Sequence, residues 1–208
     1  MSEPVTADGP AELAARERLG AALRSLGHAV VGRYNAAEVL DGLAAQLEAT
    51  VEHLGRGAPR RRDPESFGNQ FVGETPPDGP LPPSMPDRPF SGKASPWSVD
   101  MAVRREGDVV VTDVILGPAH EGAPGRSHGG VVSGTFDDLM GFVLQLERLR
   151  AFTGELTVRY LAGMPIGEPV QFRSWLRERS GRKLYIDADA TAEGRVVATA
   201  TAVFIAVD

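Results

Sequence analysis

The chain has 208 residues, room for one comfortable domain or two small ones. Its hydrophobic share of 42% can supply a core, and its charged share of 24% is ordinary for a soluble protein. A net charge of -6 argues against a dedicated nucleic-acid binder, which needs a basic face. Cysteine is absent, so disulfides, thiolate metal sites and cysteine nucleophiles are excluded together.

The stretch from Met1 to Pro10 is polar and acidic, without a basic segment leading into an apolar one. No uninterrupted apolar run is long enough for a bilayer. With the missing cysteines, this predicts a soluble cytoplasmic protein without a membrane span. The run Arg60-Arg61-Arg62 reads as a solvated linker, although a local arginine cluster can also meet a small phosphorylated ligand.

Residues 1–57 read as a helical hairpin. Leu13, Leu19, Leu23 and Leu26 recur at near-helical spacing. After a break at Gly32-Arg33-Tyr34, Asn35 is a candidate cap for a second helix carrying Val39, Leu40, Leu43, Leu47, Val51 and Leu54, with Gly55 and Gly57 as its stop. Such a pair packs its apolar face on something else, as a scaffold or dimer support.

Residues 58–96 hold ten of the sixteen prolines. Proline lacks the backbone N–H and fixes φ, so this segment is neither a regular helix nor a central strand. Phe67, Phe71, Phe90 and Trp97 favour a strap lying on the surface over a free linker, which gains nothing from aromatic anchors.

Residues 97–208 change rhythm. Ser98 to Arg105 and Val109 to Leu116 alternate around Glu106-Gly107-Asp108, as in a hairpin. A Gly/Pro-rich loop, Gly117 to Ser127, leads into an apolar segment from Gly129 to Leu149. Four strand-like runs follow: Glu155 to Leu161, Val170 to Arg177, Lys183 to Thr191 and Val196 to Val207. The order β-β-α-β-β-β-β predicts an α+β fold, one long antiparallel sheet wrapped against one helix. That helix is apolar nearly all round and should be deeply buried. Asp137 and Asp138 are therefore its anomaly, because a buried carboxylate is costly unless paired or used.

The string Glu121-Gly122-Ala123-Pro124-Gly125-Arg126-Ser127-His128-Gly129-Gly130 resembles the EGxPGxxHGG loop of hotdog-fold thioesterases, the PaaI-like group and especially its thioesterase-superfamily-member-4-like branch. Asp137 falls where that family keeps its catalytic acid. Thr153 to Tyr160 is similar to the strand bearing the family's active-site Thr or Ser. The likeness runs from near Trp97 to the end of the chain. It implies hydrolysis of acyl-CoA or related pantetheine thioesters without a cofactor. Many PaaI-like members carry an Asn six residues before the histidine; Gly122 stands there in this chain, so that water-orienting amide is missing.

Thioester hydrolysis needs a base or nucleophile near the carbonyl carbon and donors aimed at its oxygen. A helix start offers unpaired N–H groups and a positive dipole end. The resemblance assigns the oxyanion role to the Gly129 N–H, and Gly129 and Gly130 let a substrate approach the backbone. Asp137 is the candidate base or nucleophile, against the alternative of a paired structural carboxylate. Asp138 lies about 100° further round the helix and reads as a surface or supporting residue. Thr153 is placed to bond Asp137 or the water, or is simply a strand-opening threonine. His128 either fixes the loop or contacts the thioester oxygen. Gly130, Gly122 and Glu121 are candidate substrate-binding residues. No metal is expected, because His28, His53, His120 and His128 show no ligand spacing.

Gly129 and Asp137 lie about 12 Å apart along one helix, whereas reacting atoms must come within about 3–3.5 Å. Both serve one carbonyl only if they come from two subunits, which predicts a homodimer, alone or as a dimer of dimers, with two sites at a two-fold interface. Gly125-Arg126-Ser127-His128-Gly129 also fits G-x-S-x-G, but a Gly/Pro loop precedes it and no histidine follows His128, so a serine triad is not expected. The second reading is a non-catalytic acyl-CoA-binding or interaction module on the same fold. A dehydratase is third and lacks its His/Asp arrangement.

Overall fold

The structure is a computed structural model describing residues 9–60, 68 and 71–207. Helix α1, Pro10–Gly32, and helix α2, Ala37–Gly55, form the N-terminal pair. Asn35 does not cap α2. The carbonyl that accepts its first bonds belongs to Ala36, and the Asn35 amide donates instead to the Arg33 carbonyl at 3.3 Å.

The leucine stripe of α1 is not its packing face. Leu19 and Leu23 stay exposed, while Gly20 and Arg24 are buried. The Arg24 guanidinium donates to the carbonyls of Lys93 (2.9 Å) and Ser95 (2.7 Å) and to Asp100 (2.6 Å). A buried cation so paired ties α1 to the strap. Helix α2 buries none of its residues in this chain, and Val39, Val51 and Leu54 are more than half exposed. The pair therefore does not close into a packed hairpin.

The proline-rich segment is a strap. Phe71 and Leu81 join the core, and Phe90 packs against it. Trp97 departs from the expectation at 76% exposure, and Phe67 lies outside the described residues. The strap adds strand β1, Gly79–Pro80, to the sheet edge beside β2, Arg104–Glu106. The expected strand Ser98–Arg105 is mostly irregular. Val99, Met101 and Val103 are buried in alternation, but Asp100 takes a left-handed φ of 54° that a ladder does not accept.

Strands β3 (Val109–Ile115), β6 (Ala151–Tyr160), β7 (Pro169–Ser180), β8 (Lys183–Ala192) and β9 (Arg195–Ala206) complete an antiparallel sheet in the order β1-β2-β3-β7-β8-β9-β6. The strands β4 and β5 form a separate two-stranded hairpin, Glu121–Ala123 with Arg126–Ser127. Helix α3, Gly129–Glu147, lies on the sheet with Phe136 edge-on to Phe172 at 5.1 Å. It stops two residues before Leu149, because Arg148 turns left-handed and its amide returns to the Leu144 carbonyl. The result is the expected α+β architecture. Among the described residues no helix is long and apolar enough to cross a membrane.

Candidate functional site

The β4–β5 hairpin delivers the chain to α3. Pro124-Gly125 makes its turn, with Gly125 at φ 71°, and the Glu121 carboxylate accepts the Gly125 N–H. Glu121 is thus a loop-shaping residue in this structure. Gly122 is fixed by crowding, since a Cβ there would stand 2.7 Å from the Cα of His128. An Asn at this position is incompatible with the packing seen here.

The residue that caps α3 is His128. Its Nδ1 accepts the Gly130 N–H at 3.0 Å, and its own N–H donates to the His120 carbonyl at 2.8 Å. An accepting Nδ1 assigns the ring proton to Nε2, which remains a donor. The Gly130 N–H is consumed by this cap. The Gly129 N–H, in the first helical position, has no acceptor among the described residues. Ser127 turns its hydroxyl to the His120 and His128 carbonyls, 3.3 and 3.4 Å away, not to an imidazole.

Asp137, two turns further along, is half-buried. Thr153 Oγ1 donates to its Oδ1 at 2.8 Å, leaving Oδ2 available. Thr153 does not open its strand; β6 begins at Ala151, and the register slips between Thr153 and Glu155. The extra residue is Gly154. Such a bulge re-aims the side chains beside it.

Asp138 is not a surface residue. It is 7% exposed, ion-paired with Arg88, and its Oδ2 accepts the Ser91 N–H at 2.6 Å. Arg88 also donates to the Asp138 carbonyl at 3.0 Å. The reason is the strap, which covers this face of α3 and supplies both partners. Adjacent acids therefore divide their tasks: Asp138 fastens the strap and Asp137 faces a cleft.

That cleft holds about 250 Å³ and has Asp137, Thr153, Arg88 and Met85 in its wall. Gly129 lines a different one, of about 310 Å³, with Tyr160, Leu161 and Met164. The two clefts share no residue. Tyr160 was not singled out by the sequence, yet its hydroxyl donates to the Gly129 carbonyl (2.8 Å) and bonds Ser133 Oγ (2.7 Å), bracing the helix start. An aromatic ending a strand gave no sign of this. Arg88 was hidden likewise, one arginine in a proline-rich run.

Behind the loop, His28 of α1 and His120 stand edge to face at 4.8 Å. Their Nδ1 atoms accept the N–H groups of Ala119 and Gly117, both at 3.1 Å. Burial, reinforced by the neighbouring His28, lowers the His120 pKa to about 4.

Residues 125–199 match the family model described as Thioesterase superfamily. A solved thioesterase superfamily protein is similar over 98% of this chain and 97% of its own length, at 23% identity and a TM-score of 0.76. Its likeness takes in the N-terminal helices and the strap, which lie outside residues 125–199. A hypothetical thioesterase from Streptococcus pneumoniae, solved with coenzyme A, matches 51% of this chain and 88% of its own at 19% identity (TM-score 0.49). The E. coli PaaI protein of the phenylacetic acid degradation operon matches 51% and 83% at 13% identity (TM-score 0.49). Residues 125–199 thus carry the thioesterase superfamily match, and the architecture around α3 is the fold of that solved thioesterase superfamily protein.

Proposed function

We propose that the protein hydrolyses acyl-CoA or related pantetheine thioesters at sites shared by two subunits of a homodimer. The observation that carries this reading is the Asp137 carboxylate, oriented by Thr153 at 2.8 Å in the wall of a cleft. Oδ2 accepts a proton from water, and the resulting hydroxide attacks the thioester carbon. The carbonyl electron pair moves to oxygen, where the N–H of Gly129 of the partner subunit receives it. The Nε2–H of the partner's His128 is a second donor for the same oxygen. Collapse breaks the C–S bond, and the departing thiolate takes the proton that Asp137 received from water, leaving as free thiol and restoring the carboxylate.

Separation of the two half-sites supports the dimer. Asp137 and Gly129 line different clefts of one chain, and a two-fold pairing brings one of each together twice. Among the described residues strand β6 is a sheet edge, with Phe152 and Tyr160 at least half exposed. Edges of this kind normally need cover.

Thiol release from a panel of acyl-CoAs of varied chain length tests the reading. Turnover by wild type and its loss in Asp137→Asn are expected. A purified protein that releases no thiol from any member overturns it in favour of a binding module.

A further inference from the structure

We infer that the cleft beside Asp137 holds the acyl group, and that the strap closes it to accept apolar acyl groups of about eight carbons or fewer. This rests on the thioesterase reading for the position of the carbonyl. The rest comes from the cleft itself.

Its long side is one face of α3. Asp137, Gly141 and Leu144 are spaced four and three residues apart, so they lie in line. From Asp137 to Leu144 the helix rises about 10 Å. With bonds of about 1.5 Å in a zigzag, that length takes roughly eight carbons. The volume, about 250 Å³, agrees with a small guest. It falls below the roughly 300–1,000 Å³ of sites built for larger ligands.

Apart from Asp137, Thr153, Ser84 and the Arg88–Asp138 pair, the walls are apolar, with Phe71 and Met85 from the strap, Leu144 from α3 and Phe204 from β9. Arg88 is the cation in this wall, and it is engaged by Asp138 and lies over the Phe142 ring at 4.9 Å. A carboxylate-bearing acyl group therefore meets Asp137 without a free counter-ion, and is disfavoured.

The strap is held at a fixed distance. Arg88 grips both the carboxylate and the carbonyl of Asp138. Gly141 lets it come close, since a Cβ there would stand 2.7 Å from Arg88 Nη2. Met85, three residues before Arg88, is placed in the cleft by that anchor. Strap position and cleft length are thus coupled through one ion pair.

The test is chain-length selectivity in wild type, Met85→Trp and Met85→Ala. Hydrolysis of C2 to C16 acyl-CoAs gives kcat/KM. Affinity for non-hydrolysable S-alkyl-CoA thioethers of the same lengths is measured in parallel by calorimetry. Each added methylene should improve wild-type binding roughly threefold to fourfold until about eight carbons, and no further. Met85→Trp should move the break at least two carbons shorter, and Met85→Ala at least two longer. Binding that keeps improving to C16, or a break that neither variant moves, overturns the inference. Wild type that binds the thioethers with this break but cleaves no thioester would refute the hydrolase reading alone.

Discussion

Thr153→Val removes one hydroxyl and almost no volume, so it isolates the hydrogen bond that orients Asp137. A bond to a charged group contributes about 1.5–3 kcal/mol. Asp137 is half-buried and Thr153 exposed in the single chain, which favours the lower end. About 1.5 kcal/mol of lost orientation is roughly a tenfold fall in rate. It should appear in kcat, with KM little changed, because the methyl groups preserve the cleft wall. Thr153→Ser should restore most of the rate. Steady-state kinetics on the best acyl-CoA decides this, with circular dichroism to check folding. A Thr153→Val protein within twofold of wild type refutes the orienting role.

Asp137→Asn keeps shape and removes the proposed base, and should cost about 10²–10⁴ in kcat, within the range for general-base loss. Its S-alkyl-CoA affinity, read by calorimetry, should stay within a few fold. Gly122→Ala forces a Cβ against the His128 backbone, and overpacking of this kind costs about 1–3 kcal/mol, measurable by urea unfolding. His120 gives a pH dependence whose sign is fixed. Its folded pKa, about 4, lies below the unfolded value of 6.5, so the unfolded chain binds the extra proton between them. Stability is therefore full above about pH 6.5 and declines towards pH 4, and His120→Gln should flatten that part of the thermal-melting profile. An unchanged profile in the variant contradicts the assignment.

Much of the fold was legible because two periodicities are distinct. Alternation marked β3, strand-like runs between turns marked β6 to β9, and the apolar stretch after Gly129 marked α3. Alternation reports burial and not ladder bonding, which is why 98–103 read as a strand but is not one. The leucines of α1 misled for a related reason: its contact face is made by a glycine and a buried arginine, residue types that carry no hydrophobic signal. At the candidate site, Asp137, Thr153, His128 and Gly129 were singled out by motif, and the structure joins them in two pairs, Asp137 with Thr153 and His128 with the helix start. Of the two readings of Asp138, surface or supporting, only the second holds, and its partners Arg88 and Ser91 lie 50 and 47 residues away in the chain, beyond the reach of any local pattern.

The central claim is a catalytic site divided between two subunits, and mixed dimers test it most directly. Gly129 occupies the first helical position, where proline is well tolerated, so Gly129→Pro deletes the N–H without breaking α3. Each of Gly129→Pro and Asp137→Asn should be nearly inactive alone. After unfolding and refolding together in equal amounts, half of the dimers carry one subunit of each kind. In those, one site holds both defects and the other holds neither. Shared sites therefore predict recovery of about a quarter of wild-type thiol release. A mixture that stays as inactive as its components places both groups in one chain and contradicts the account.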